Sequence, residues 1–158
     1  MNVKITSLFL ASFILLFSAL HAQTKKQAPR HTALGSSIAR GKIVYTSVCL
    51  SCHMADGGGV QSMNPPLIKT TYVLGNKAAL IKIVLHGFKE DVEINGNTYS
   101  NTMSAHDNLT DRQIADVLTY VRHSFGNKAR AVKATEVSKV RALAKNSCRA
   151  LRDTINRK

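Results

Sequence analysis

Apolar positions recur at helical spacing in separate stretches of the chain, each bounded by residues that begin or end helices. Ile38, Val44, Tyr45 and Val48 form the first stripe, which runs up to Cys49 with Ser36 or Ser37 as the expected cap. A second helix is predicted from the cap Asn76, with the apolar run Ala79 to Leu85, Lys82 facing out and Gly87 as the stop. The clearest pattern belongs to the third. Thr110 and Gln113 have the spacing of a capping box, and Leu109 and Ile114 that of a hydrophobic staple. Ile114, Val117, Leu118, Val121 and Phe125 then line one face, with Tyr120 beside it and Gly126 closing the helix. From Val132, the positions Val137, Val140, Ala144, Cys148, Leu151 and Ile155 predict a fourth, amphipathic helix with Lys and Arg on its other faces.

The segments between these stripes are loops by composition. Asp56 to Leu67 contains Gly57-Gly58-Gly59 and Asn64-Pro65-Pro66, which sustain neither a helix nor a central strand. Asp91 to His106 is polar and turn-rich around Asn95-Gly96-Asn97, fitting a short hairpin or no regular structure. Gly41, inside the first stripe, costs about 1 kcal/mol against Ala in a helix interior. Close approach by another helix would offset that cost.

The beginning of the chain has a different character. Met1-Asn2-Val3-Lys4, an apolar run from Leu8 to Leu20 and then Ala22 give the basic, apolar and small-residue order of a secretory signal, with cleavage expected after Ala22. The run is short for a bilayer, which takes roughly 20 apolar residues. The mature protein is therefore expected to be exported, periplasmic or equivalent, and soluble, with no spanning segment. Gln23 to Leu34 is polar and basic, the composition of a flexible lead-in. The expected plan is a signal peptide over 1–22, a lead-in over 23–35, a folded domain over 36–127 and a basic helical extension over 128–158.

A net charge of +13 raises nucleic acid or membrane surfaces as partners, but its distribution argues otherwise. From Gly41 to Asn127 the seven basic and seven acidic residues balance, whereas Lys128 to Lys158 holds ten basic against two acidic. The excess belongs to the flanks. No nucleic acid is expected as partner. The basic tail would either pack as an appended helix with a solvated outer face or dock an acidic protein or anionic lipid.

Three short helices and glycine-rich loops make a thin core, and small domains of that kind are commonly completed by a staple or cofactor. Cys49-Leu50-Ser51-Cys52-His53 matches the attachment signature for c-type haem. Two thiols separated by two residues reach the two vinyl groups on one porphyrin edge, and the adjacent His53 can turn its imidazole under the iron. Electron-transferring haem proteins commonly add Met as the second axial ligand. Met103, in a polar loop just before the third helix, is the leading candidate. Alternatives for the thiols are a thioredoxin-type dithiol, a zinc site or a Cys49–Cys52 disulfide. The first lacks its βαβ context, the second lacks nearby ligands, and the third leaves His53 and Met103 unexplained.

Over Ser36 to Asn127 the chain resembles the class I cytochrome c family. That resemblance implies an all-α cytochrome c fold, three or more short helices wrapped around one covalently bound haem c, here with an extra C-terminal amphipathic helix. It implies further that the Pro65 carbonyl accepts a hydrogen bond from His53, that Gly41 and Tyr45 pack the first helix on the last, and that Tyr120 is their aromatic partner. Ile94-Asn95-Gly96, Tyr99 and Leu109-Thr110-Asp111 are similar to a branch that serves bacterial respiratory chains or dehydrogenase and nitrite reductase systems. Met103 is followed by Ser104 where the family often has Pro, and His106 stands nearby, so bis-histidine ligation through His106 stays open. Met63 and His86 rank lower; Met54 is too close to His53, and His31 and His123 are expected to face solvent. The expected function is one-electron transfer with redox partner proteins rather than enzymatic catalysis. The rivals are a haem-based small-ligand binder or sensor, or a haem subunit of an oxidoreductase complex. Cys148, an odd thiol, could link a dimer.

Overall fold

The computed structural model describes residues 32–155, with the side chains at 147, 148 and from 150 onward excluded. The signal segment, the lead-in up to His31 and the Cys148 thiol lie outside the described residues. Helix α1 spans Ala33–Val44 and continues through a π-helical turn, Tyr45–Cys49, into a short helix α2, Leu50–His53. Its cap is Thr32, whose Oγ1 accepts the Gly35 N–H at 3.1 Å, and not Ser36 or Ser37. The helix thus begins inside the segment expected to be a flexible lead-in and runs past Cys49. Ser37 is instead drawn to a tertiary partner, donating to Asp116 Oδ1 at 2.5 Å.

A single helical turn, α3 (Thr71–Leu74), precedes α4 (Lys77–His86), which starts on the Asn76 cap and ends at Gly87 with φ 76°. The strands β1 (Val92–Ile94) and β2 (Asn97–Tyr99) form an antiparallel hairpin. Asn95 and Gly96 between them both have positive φ, as a tight hairpin turn of the right twist requires. Helix α5 (Asp111–His123) carries the full capping box, with Thr110 Oγ1 accepting from Gln113 N and Gln113 Oε1 accepting from Thr110 N. It stops at His123, short of the expected Gly126, because Ser124 is extended and Phe125 is left-handed with φ 57°. Phe125 is therefore not on the helical face, although its ring still packs 5.4 Å from that of Tyr45. The last helix, α6, spans Ala134–Ile155.

The core gathers Val44 and Tyr45 of α1 and its π turn, Ile81 and Leu85 of α4, and Ile114 and Leu118 of α5. Helices α1 and α5 cross at Gly41, where a Cβ would overlap the Asp116 carbonyl and the Tyr120 Cβ. Contact that close explains why a helix tolerates Gly there. Arg40 and Ser37 seal the same crossing on the buried Asp116 carboxylate, Arg40 Nε at 2.6 Å. Burial alone would raise that carboxyl's pKa, but the Arg40 and Ser37 hydrogen bonds and the Arg40 and Arg112 charges outweigh it and hold it below 3.8. Val137 and Val140, with Val132 just before the helix, bring α6 into the same core, so the tail packs as an appended helix. Lys77–Glu136 at 2.5 Å and Arg141–Asp111 at 2.8 Å fasten it. Among the described residues no helix is long and apolar enough to cross a membrane.

Candidate haem site

Positions i, i+3 and i+4 of a helix share a face, and Cys49, Cys52 and His53 hold those positions where the π turn passes into α2. The three side chains consequently line one cavity of about 370 Å³. Helix α2 ends at Met54, whose φ of 63° turns the chain away into the glycine loop. That loop returns with Pro65, whose carbonyl lies 3.0 Å from His53 Nδ1. With Nδ1–H donated there, Nε2 carries the lone pair and is the nitrogen left to face the cavity. Burial lowers the His53 pKa, the Pro65 bond pulls the other way and the His106 charge adds to the lowering, so the imidazole stays neutral, the form that ligates a metal.

Met103 and His106 line the same cavity. Met103 pairs its backbone with Phe88, N to O at 2.8 Å and the reverse at 3.0 Å, and its partly buried side chain packs against the core. His106 is fixed by its N–H to the Val84 carbonyl at 2.9 Å. Met54, Met63 and His86 are exposed and do not line the cavity. Neither does His123, whose ring is tied to the Thr119 carbonyl at 2.9 Å. The walls between are apolar, built by Val84, Ile94, Tyr99, Leu118 and Val121 among others.

The cavity suits a haem on the chemistry of its donors. It is a largely apolar space lined by two thiols, the neutral imidazole that follows them in the chain, and a methionine. A reactive dithiol does not fit, because redox motifs depress the thiol pKa whereas burial, with the Cys52 charge second, pushes Cys49 up to about 11. Zinc does not fit either: no group of three or more His, Cys, Asp or Glu side chains could hold a metal among the described residues.

Gly41, Tyr45 and Tyr120 frame the site without lining it alike. Tyr45 is 1% exposed and borders the cavity, its ring 5.3 Å from that of Tyr120, which stands behind it with Gly41. Some supporting residues carry no sequence signal. The buried Asn127 donates to the Leu67 and Val121 carbonyls at 2.9 and 2.8 Å and accepts from Lys69 N at 2.7 Å, binding the proline loop to the end of α5. Its only hint is a polar residue soon after a helix stop. Arg122, buried on α5, donates to the Val73 and Arg130 carbonyls, a role that long-range folding alone creates.

Residues 38–125 match the family described as cytochrome c. A cytochrome c-552 of Thermus thermophilus is 32% identical over 114 residues, covering 66% of this chain and 86% of that protein. The cytochrome c subunit of a quinone alcohol dehydrogenase from Komagataeibacter europaeus is 37% identical over 111 residues, and the chain spans only 22% of that subunit's length. A gluconate 2-dehydrogenase cytochrome c subunit from Pantoea cypripedii is 33% identical, with 25% of its length covered. In this family two cysteines bind haem c covalently for electron transfer, and Cys49 and Cys52 have the matching spacing. With the fold, the donor set and the match over 38–125 in agreement, this chain belongs to the cytochrome c family.

Proposed function

We propose that the chain is an exported carrier of single electrons whose haem c, joined to Cys49 and Cys52, is ligated by His53 and Met103. The observation that supports this is that His53, tied through Nδ1 to Pro65, and Met103, tied through its backbone to Phe88, line one and the same apolar cavity with Cys49 and Cys52. When bound, haem c supplies a one-electron ferric–ferrous couple. His53 is held in one tautomer and made more basic by its bond to Pro65. Met103 would offer the iron a soft thioether as second ligand, which favours a raised potential. The apolar walls exclude water, so the charge change meets a rigid, low-dielectric surround. With His53 and Met103 both as ligands no position would be left for a substrate, in keeping with a carrier rather than a catalyst.

The partners proposed are redox proteins, with acidic ones docking on the exposed side of α6, where Lys139, Lys145 and Arg149 are exposed and Lys133 just precedes the helix. A dehydrogenase complex is the kind of partner that the names of several relatives suggest. Export rests on the basic, apolar and small-residue order ending at Ala22, with the haem domain following a lead-in and the basic helix closing the chain.

The test is an absorption spectrum of the mature holoprotein and of Met103→Ala. A c-type pyridine haemochrome is expected in both, and a far-red iron–sulfur band in the wild type alone. Persistence of that band in the variant would remove Met103 from the site. Ready binding of carbon monoxide by the reduced wild type at neutral pH would replace the carrier with a ligand-binding sensor.

A further inference from the structure

The appended helix α6 touches the loop that carries Met103 through Arg141. All three guanidinium nitrogens are engaged there: Nε on Asp111 Oδ1 at 2.8 Å, Nη1 on the Asp107 carbonyl at 2.9 Å and Nη2 on the Leu109 carbonyl at 2.8 Å. Those carbonyls precede α5 and lie outside its own hydrogen-bond ladder. The loop from Met103 to Asp111 is otherwise held at its start by the Phe88 backbone pair, in its middle by the His106 N–H on Val84 and near its end by the burial of Leu109 in the core. Bonds from a guanidinium are roughly twice as strong as neutral ones, and a fork with fixed geometry also fixes direction. The other fastening of α6, Glu136 on Lys77, sits at the beginning of α4 and touches no residue of this loop.

We propose that Arg141 is a positioning residue for the sixth-ligand loop: through it the C-terminal helix keeps Met103 seated opposite His53 and keeps small molecules off the haem. Loop opening must break the Arg141 fork as well as the Phe88 pairing. The helix outside the family-matched segment thereby becomes part of the haem site's closure. This rests on Met103 being the ligand, as proposed above.

The experiment measures carbon monoxide uptake by reduced holoprotein at neutral pH, together with the far-red band on warming, in wild type, Arg141→Gln, Arg141→Lys, Glu136→Gln and Met103→Ala. Arg141→Gln is expected to take up carbon monoxide about tenfold faster than wild type and to lose the band at lower temperature, since the open loop gains population as charge-assisted bonds are lost. Arg141→Lys, which keeps the charge but not the fork, should lie between them, and it decides the matter if Arg141→Gln does not mature. Glu136→Gln should stay within about twofold of wild type, because it loosens the helix without touching the loop. Equal acceleration in the Arg141 and Glu136 variants would mean that only helix attachment matters and would overturn the proposal. So would wild-type uptake in both Arg141 variants. A wild type that lacks the band, or binds carbon monoxide as fast as Met103→Ala, would instead defeat the ligand assignment itself.

Discussion

The hydroxyl of Tyr45 donates to the carbonyl of Met54 at 2.6 Å. Met54 is the residue at which the Cys49–His53 segment ends, and its φ of 63° is unfavourable for a side-chain-bearing residue. Tyr45 is in turn clamped between the rings of Tyr120 and Phe125, at 5.3 and 5.4 Å. An aromatic set drawn from both ends of the domain thus holds the turn that follows the haem histidine.

Tyr45→Phe keeps the ring packing and removes the donor. Loss of this hydrogen bond, which leaves the Met54 carbonyl only the Gly57 N–H at 3.3 Å, is expected to cost about 1 kcal/mol and to lower Tm by roughly 4–8 °C. The far-red band at 25 °C should persist, because Met103 is held by its Phe88 pairing, which the Tyr45 hydroxyl does not touch. An unchanged Tm in thermal melts would show that the turn needs no support from the hydroxyl.

Gly41→Ala acts on the crossing of α1 and α5. The added methyl meets backbone, the Asp116 carbonyl, which cannot move aside as a flexible side chain would. A loss near 3 kcal/mol is expected, the upper part of the range for overpacking, even though Ala is the better helix former. Denaturant unfolding of the holoprotein measures it; a stabilised variant would mean that the helices separate freely.

How much of this was legible depended on how local each signal is. Cys49, Cys52 and His53 lie within five residues, and the Thr110–Gln113 box and the Asn95-Gly96 turn are equally short-range, so the chain announces them. Thr32 was missed as a cap because Ser36 and Ser37 are better cap types, and only the fold reveals that Ser37 is claimed by Asp116. Phe125 fitted the period of α5, yet the helix ends before it. The ring contact is what draws Phe125 inward, and no periodicity encodes that. The roles of Asn127, Arg122 and Arg141 consist of bonds to carbonyls far along the chain, which composition does not foretell.

His106→Ala separates the His106 and Met103 options for the second ligand. His106 lines the cavity, and its ring makes no hydrogen bond among the described residues, so its removal strands no partner. The variant is expected to keep the far-red band and to remain closed to carbon monoxide, as Met103 still fills the position. Loss of closure with no band in the wild type would assign ligation to His106.

Asp116→Asn tests the ion pair behind the site, and the sign of its pH dependence follows from the direction of the shift. The folded carboxyl lies below its ordinary 3.8, so between the two values the unfolded chain binds the extra proton. The stabilisation is therefore present in full above about 3.8 and is lost as pH falls through the folded value. At pH 7 the variant, which keeps an acceptor oxygen but loses the charge facing Arg40 and Arg112, should melt roughly 5–10 °C lower. Below pH 3.8 the wild type should approach the variant, because the unfolded chain then takes up a proton that the folded carboxyl does not bind until lower pH. Thermal melts of both holoproteins from pH 2 to 7 give the comparison. A gap that stays constant down to pH 2 would mean that the Asn side chain costs stability through its shape, and that the Asp116 charge contributes nothing to holding α1 on α5.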